Sequence, residues 1–298
     1  RRNFVKRDEF PYDCPGGSIL DSGDFEKGID ETLRLAGYEE LLRKRDKARA
    51  EGRHFGIGFA CGVEPSGSNM GYVSLAQTAE ERAGSEPKSG GNTSASISMD
   101  PTGAVTVHLC STPNGQGHAT VASQIVADAL GIDISKIDVV TEIDTLTSAW
   151  SLASGNYANR FAAAVAGAVS RCAGQVVHKL KEIAADELEC DIDDIELAEG
   201  FAHHKDQGNR SIRVGRLAAR AHWDPTGLPE RIEPGIYETA IFSPRKLTPP
   251  DEDDRVSSSV TYGSVFDLAA VEIDPASGHV TIDKYVSVHD VGNLLNPL

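Results

Sequence analysis

The sequence has no pair of closely spaced cysteines. Its five cysteines, Cys14, Cys61, Cys110, Cys172 and Cys190, are scattered without a Cys-x-x-Cys pair. Iron–sulfur clusters and structural zinc sites are usually held by such pairs, so neither kind of site is predicted in this chain. The odd number of cysteines and the apolar surroundings of Cys61 and Cys110 favour free thiols in a reducing compartment, which predicts a cytoplasmic location.

Positive charge and long apolar runs are also scarce. Against 45 Asp and Glu there are only 29 Lys and Arg, which gives a formal net charge of −16. Such a surface is poorly suited to phosphate backbones or anionic lipids, so we expect neither a nucleic acid nor a membrane as partner. No apolar run approaches the roughly 18 residues that a membrane span requires, and no hydrophobic region of a signal peptide follows the first residues.

What remains is the composition of a globular protein. The chain has 298 residues, of which 40% are hydrophobic and 25% charged, enough for one large domain or two ordinary ones. Apolar residues at helical spacing follow Asp24, and Gly37 and Gly52 follow the two stretches, which predicts a helical hairpin. An apolar strand at residues 55–63 and a long loop up to residue 91 are expected next.

The central part alternates between strand and helix patterns. A hairpin turns at residues 100–103, where Asp, Pro, Thr and Gly lie between two alternating apolar runs. A helix at 119–130, a strand at 137–141 and a long helix at 157–188 then complete a strand–helix–strand–helix unit. Short strands at 195–205 and 210–214 and a small helix at 217–221 follow.

The remaining chain is rich in predicted strands, at residues 236–242, 260–273 and 280–289. We therefore expect an α+β fold with mixed sheets and packed helices. Residues 1–54 are interpreted as a helical lead-in, residues 55–225 as a first lobe, and residues 226–298 as an incomplete, β-rich part of a second lobe.

Glycines lie where the predicted hairpin strand gives way to the next helix. At residues 114–118 the sequence reads Asn-Gly-Gln-Gly-His, and glycines at such a junction let backbone N–H groups and a helix N-terminus approach an anion such as phosphate. The alternative is a tight connection without a ligand, since the motif is not Gly-x-Gly-x-x-Gly.

A second polar loop, from Asp144 to Tyr157, follows the next strand. In a βαβ arrangement it lies beside the first loop, so that both can share one ligand. Its Ser, Thr and Asn residues can equally serve as caps of the long helix.

Two histidine pairs could in principle carry chemistry. His289-Asp290 ends a strand and could act as an acid–base pair, and His203-His204 could suggest a metal site. Neither has further ligands or a nucleophile at recognisable spacing, so structural or exposed roles are favoured. A hydrolase built on His118 or His289 is disfavoured for the same reason.

The ordered motifs resemble the molybdopterin-binding large subunits of the xanthine dehydrogenase and aldehyde oxidase family. The motifs are Gly-Gln-Gly-His at 115–118, QIVADALG at 124–131, Asp-Thr at 144–145, SGNYANR at 154–160 and HDVGNLLNP at 289–297. Shorter matches at residues 10–12, 21–24, 260–263 and 271–274 extend the resemblance over nearly the whole chain. It is strongest to the carbon monoxide dehydrogenase-like bacterial branch.

This resemblance implies a molybdenum-cofactor-binding domain of an oxidoreductase. Members of the branch use molybdopterin cytosine dinucleotide and oxidise small carbonyl or N-heteroaromatic compounds with water as oxygen source, while iron–sulfur and FAD-containing partner subunits or domains accept the electrons. The implied cofactor-binding residues are Gly115, Gln116, Gly117, His118, Asp144, Thr145, Ser154, Gly155, Asn156 and Tyr157. Ile143, Ser148 and Asn159 depart from the residues common in the family at those positions.

Two family motifs do not occur in this sequence. They are the Ala-Tyr-Arg-Gly loop, expected before residue 1, and the Gly-x-Gly-Glu motif, expected after residue 298, whose glutamate is the family's general base. We therefore predict no catalytic residue in this chain and no turnover by it alone, and we expect the remaining part of a large subunit as a partner. The alternative is a non-catalytic nucleotide- or anion-binding module on the same scaffold.

Overall fold

The computed structural model describes residues 1–86, 91–144, 156, 158–245 and 247–296. The strands, in chain order, are β1 (Tyr12–Asp13), β2 (Ile19–Leu20), β3 (His54–Ser68), β4 (Thr93–Met99), β5 (Val105–Leu109), β6 (Ile137–Val140), β7 (Ile195–Ala198), β8 (Phe201–His204), β9 (Gln207–Arg213), β10 (Tyr237–Phe242), β11 (Ser259–Ile273) and β12 (Val280–Asp290). The α-helices are α1 (Phe25–Ala36), α2 (Tyr38–Ala50), α3 (Ala79–Ala83), α4 (His118–Leu130), α5 (Ala166–Leu188) and α6 (Val214–Trp223). The expected mixture of sheets and packed helices is confirmed.

The main core lies between a four-stranded sheet and two helices. The strand order is β10-β4-β5-β6, with β5 and β6 parallel and the other pairs antiparallel. Helices α4 and α5 cover one face, where Val107, Leu109, Val169 and Leu180 are completely buried. The elements follow one another along the chain in the order β5, α4, β6 and α5, which confirms the predicted strand–helix–strand–helix unit. Because β5 and β6 are parallel, the two polar loops that follow them leave the sheet at the same edge.

A second sheet, in the order β12-β11-β3, carries α1 and α2 on one face. Leu41, Ala48, Phe55 and Leu268 form its small buried core. The helical hairpin is confirmed: Asp24 accepts a hydrogen bond from the backbone of Lys27 at the start of α1, and Gly37 ends that helix with φ +64°. A third sheet, β7-β8-β9, is a small antiparallel unit beside α5.

The prediction of a long loop at residues 64–91 is wrong in part. Strand β3 continues to Ser68 because it pairs with β11 along its length, and 3₁₀ turns at Gly71–Ala76 and helix α3 follow. The hydroxyl of Thr78 accepts from the backbone of Glu81, whose carboxylate accepts from the backbone of Thr78. This capping box is a helix-start signal present in the sequence.

Two other boundaries also differ from expectation. The stretch 195–205, predicted as one short strand, is two strands, because Gly200 has φ +80° and reverses the chain between β7 and β8. Within the described residues, α5 is preceded by one π-helical turn at Phe161–Val165. The division into lobes at residues 55 and 226 stays a prediction. None of the helices in the described part of the chain has the length and apolarity that a membrane span needs.

Replacing Gly28 by alanine is expected to destabilise the protein although alanine favours helices. A Cβ on Gly28 in α1 would overlap the ring of Phe266, which is only 2% exposed, and overpacking of that kind costs about 1–3 kcal/mol. Gly174 in α5 is the matched control, because no heavy atom lies within 4 Å of a Cβ built there, so alanine should stabilise by up to about 1 kcal/mol. Urea unfolding of both variants measures the difference, and equal effects would contradict the close packing of Gly28.

Candidate functional site

The two polar loops lie side by side at one edge of the four-stranded sheet. Parallel strands β5 and β6 end at the same edge, so the segments that follow them leave the sheet as neighbours. The hydroxyl of Thr112, in the first segment, donates to the carbonyl of Thr141 in the second at 3.4 Å. The proximity expected from the βαβ pattern is therefore present in the structure.

The first loop, which we call the glycine turn (residues 114–117), is exposed, and no side chain caps the helix that follows it. Gly115 has φ +102° and Gly117 has φ +80°, conformations that favour glycine. No heavy atom lies within 4 Å of a Cβ built on either residue. Helix α4 begins directly afterwards with Gly117 as N-cap and without a side-chain cap, so its first N–H groups face the turn and attract negative charge.

Gln116 links the two loops through its side-chain amide. Its Oε1 accepts from the backbone N–H of Asn114 at 2.5 Å, which holds the side chain against its own turn. Its Nε2 donates to Oδ1 of Asn156 in the second loop at 3.1 Å. Two of the residues predicted to share a ligand are thus in direct contact.

Arg160, whose charge acts on His118 at the start of α4, is only 2% exposed. It donates to the carbonyl of Cys110 at 3.2 Å and to that of Asn92 at 3.3 Å. These bonds attach the start of the long helix to the end of β5 and to the segment before β4. Arg160 belongs to the SGNYANR motif but was not among the predicted site residues.

His118, the first residue of α4, is 4% exposed. Its ring stacks on Phe161, with centroids 4.1 Å apart and planes inclined by 12°, and its Nδ1 is 3.2 Å from Oγ of Ser111. Burial lowers the pKa of the imidazole, and the positive charge of Arg160 lowers it further. Because Ser111 is completely buried, the Ser111–His118 pair presents no accessible nucleophile, which argues against a hydrolase built on His118.

The lowered pKa of His118 predicts a pH-dependent stability. As the pH falls through the ordinary value of 6.5, the unfolded chain protonates this histidine while the folded chain resists protonation. The contribution is therefore complete above about pH 6.5 and is lost as the pH falls toward the folded pKa. We expect His118→Gln to flatten the decline of unfolding free energy between about pH 7.5 and pH 5.5 in urea titrations; an unchanged slope would contradict this assignment.

The other predicted residues are placed as follows. Asp144 is exposed and lies shortly after β6. Thr145, Ser154, Gly155 and Tyr157, together with Ser148, lie outside the described residues. The proposed binding roles of all these positions stay predictions.

The histidine pairs have local partners. His203 contacts the carbonyl of Ala198 through Nε2 at 3.2 Å, and Nδ1 of His204 accepts from the backbone of Asp206. Among the described residues no group of three or more His, Cys, Asp or Glu is arranged to hold a metal ion.

His289 and Asp290 line a surface concavity of about 560 Å³, away from the glycine turn. The exposed ring of His289 lies 2.7 Å from Oγ of Ser287. Asp21, which also lines the concavity, accepts hydrogen bonds from the backbone of Tyr262 and the hydroxyl of Thr261, which fits a structural role in joining the N-terminal segment to β11.

Comparison with known proteins adds a sequence match over most of the chain. The model of the molybdopterin cofactor-binding domain family matches residues 31–298. The large subunit of nicotine 6-hydroxylase from Paenarthrobacter nicotinovorans is 31% identical over 297 residues, which cover 100% of this chain and 33% of the relative. The large chain of carbon monoxide dehydrogenase from Hydrogenophaga pseudoflava is 27% identical and matches 100% of this chain and 34% of its own length.

The fold is also found in solved structures. Quinoline 2-oxidoreductase from Pseudomonas putida 86 superposes with a TM-score of 0.74 at 24% identity, over 99% of this chain and 34% of that one. At that level of identity the likeness is one of fold. The chain spans about a third of the length of the curated relatives it matches.

Proposed function

We propose, from the premise that this chain belongs to the molybdopterin cofactor-binding domain family, that it holds the pterin and dinucleotide of a molybdenum cofactor between its two polar loops. The observation that carries the proposal is the glycine turn, an exposed backbone cradle at an uncapped helix N-terminus. The second loop would complete the site through Asp144, Thr145 and residues 154–157.

The described residues fit a phosphate-containing group. The open space around Gly115 and Gly117 leaves room for phosphate oxygens at the backbone, and the N-terminus of α4 favours their negative charge. The buried guanidinium of Arg160 adds a positive charge near His118 at the start of α4, in a protein whose net charge is −16. Attraction of an anion is therefore local to this edge of the sheet.

The amide of Gln116 would orient the bound group. Its contact with Asn156 fixes the spacing of the two loops, and the neutral, buried His118 keeps the start of α4 rigid without placing a second charge there. In its bound form the cofactor supplies the redox chemistry, and the protein supplies binding, orientation and electrostatics. We further propose the cytosine dinucleotide form, as the carbon monoxide dehydrogenase-like motifs imply.

In the intact protein we infer a molybdenum hydroxylase that oxidises a small carbonyl or N-heteroaromatic compound with water as the oxygen source. The names of the matched proteins, a nicotine 6-hydroxylase and a quinoline 2-oxidoreductase, support an N-heteroaromatic substrate. Nicotine 6-hydroxylase is matched through its large subunit and carbon monoxide dehydrogenase through its large chain, which supports partner subunits. The family resemblance implies that these partners carry iron–sulfur clusters and FAD.

Metal and nucleotide analysis of the full-length native protein tests the proposal. Molybdenum is measured by mass spectrometry, and the nucleotide released by acid is identified by chromatography. Equimolar molybdenum and CMP are expected. Molybdenum without a cytidine nucleotide would reject the dinucleotide form, whereas the absence of both would favour the rival reading of a non-catalytic anion-binding module.

A further inference from the structure

One face of the sheet β12-β11-β3 has no covering layer among the described residues. Side chains alternate along β11, so that Phe266 and Leu268 face α1 and α2 and are buried. Asp267, Ala269 and Val271 point to the other side and are half-buried. We call this other side, with the residues paired to it on β3 and β12, the open face.

The open face is apolar toward the end of the β11–β12 hairpin. Ile282 is 64% exposed, Tyr285 58% and Val280 51%. Ile282 pairs with Val271, and Tyr285 pairs with Ala269, so these side chains form a contiguous patch rather than isolated surface residues. Contiguous apolar patches on a folded protein commonly mark a surface that another element covers.

Small residues occupy the neighbouring strand on the same face. Gly56, Gly58, Ala60 and Gly62 of β3 pair with residues 271, 269, 267 and 265 of β11, and together we call them the glycine lane. No heavy atom lies within 4 Å of a Cβ built on Gly56 or Gly58. Glycine weakens a strand and often marks the close approach of another backbone or a ligand, yet none of the described residues approaches Gly56 or Gly58 in this way.

A buried acceptor lies between the patch and the lane. Oδ1 of Asp267 is inaccessible to solvent and accepts no hydrogen bond among the described residues, although the phenol of Tyr285 interacts with the same carboxylate. Asp267 pairs with Ser287 on β12 and with Ala60 of the lane. An unsatisfied buried acceptor is costly, and a donor arriving over the open face would satisfy it.

We propose that the open face is an interface within one longer polypeptide, covered by a segment outside residues 1–298. The occupant packs apolar side chains on Ile282 and Tyr285, runs its backbone along the glycine lane, and presents an N–H donor to Asp267. Its source follows from length, because the matched relatives align with the whole of this chain and are about three times as long. A second copy of this chain is disfavoured, since two surfaces with a net charge of −16 each repel one another.

Photo-crosslinking in the full-length protein identifies the occupant directly. p-Benzoylphenylalanine replaces Tyr285, and in a control it replaces Trp223, which is 72% exposed at the end of α6. The expected result is an intramolecular adduct from position 285 to a residue outside 1–298, located by mass spectrometry. An adduct to a second copy or to another subunit, or the absence of any adduct beyond that of the control, would overturn the proposal.

Gly58→Val in the full-length protein gives a second, independent readout. On an uncovered edge strand, replacing glycine by valine should be neutral or stabilising, because valine has the higher strand propensity. Gly208→Val is the control for this effect, because Gly208 lies on the exposed edge strand β9 and a Cβ built there also meets nothing within 4 Å. If a segment lies on the lane, Gly58→Val lowers the melting temperature by about 2 °C or more relative to Gly208→Val. Equal melting temperatures would mean that the lane is not covered.

Discussion

Replacing Arg160 by methionine is expected to lower the free energy of unfolding by about 3 kcal/mol or more, the range seen when a buried hydrogen-bonded charge is removed. The carbonyls of Cys110 and Asn92 lose a charged donor, and Cys110 is buried, where water cannot easily replace it. The change also removes the positive charge near His118 at the start of α4. Cofactor content of the full-length protein should therefore fall together with stability, as measured by urea unfolding and metal analysis.

The matched control is Arg171→Met. Arg171 lies on α5 and donates to the carbonyl of Ile241 at 2.8 Å, but it is exposed, and surface substitutions usually change stability by less than about 0.5 kcal/mol. Arg160→Lys keeps the charge without the planar fork of donors, so it should be intermediate. Equal losses at positions 160 and 171 would show that burial of Arg160 does not matter to the fold.

The local elements could be predicted because their signals are local. The periodic apolar residues of α1, α4 and α5 and the turn at residues 100–103 each specify an element within a few turns of chain. The pairing of β3 with β11 joins residues that are about 200 positions apart, and no short-range pattern selects such a partner. The sequence therefore indicated both strands but not the sheet that they form, and the open face was not foreseen.

The candidate site was predictable to the same degree. Glycines before α4 and polar residues after β6 indicated two loops, and the parallel strands brought those loops together. The stack of His118 on Phe161 and the burial of Arg160 could not be predicted, because arginine side chains are mostly exposed and only tertiary packing decides their burial. Arg160 is therefore the position that the structure adds to the site.

Gly117→Ala is expected to abolish most cofactor binding while lowering the unfolding free energy by only about 1–2 kcal/mol. Gly117 has φ +80°, and a side chain in that left-handed conformation costs about 1–2 kcal/mol. The added Cβ meets no protein atom, so it projects into the space where we place the phosphate. If that placement is correct, the loss of molybdenum and CMP from the purified full-length protein should be at least about tenfold, which corresponds to about 1.4 kcal/mol of binding.

Gly200→Ala separates the effect of backbone strain from the effect of a side chain in the proposed binding space. Gly200 also has φ +80° and also has no heavy atom within 4 Å of a built Cβ, but it lies in the β7–β8 turn. The backbone strain is therefore matched, and both variants should lose similar unfolding free energy, whereas only Gly117→Ala should lose the nucleotide. Full cofactor content in Gly117→Ala would remove the glycine turn from the binding site. Equal loss in both variants would mean that the cofactor responds to overall stability and not to the space above Gly117.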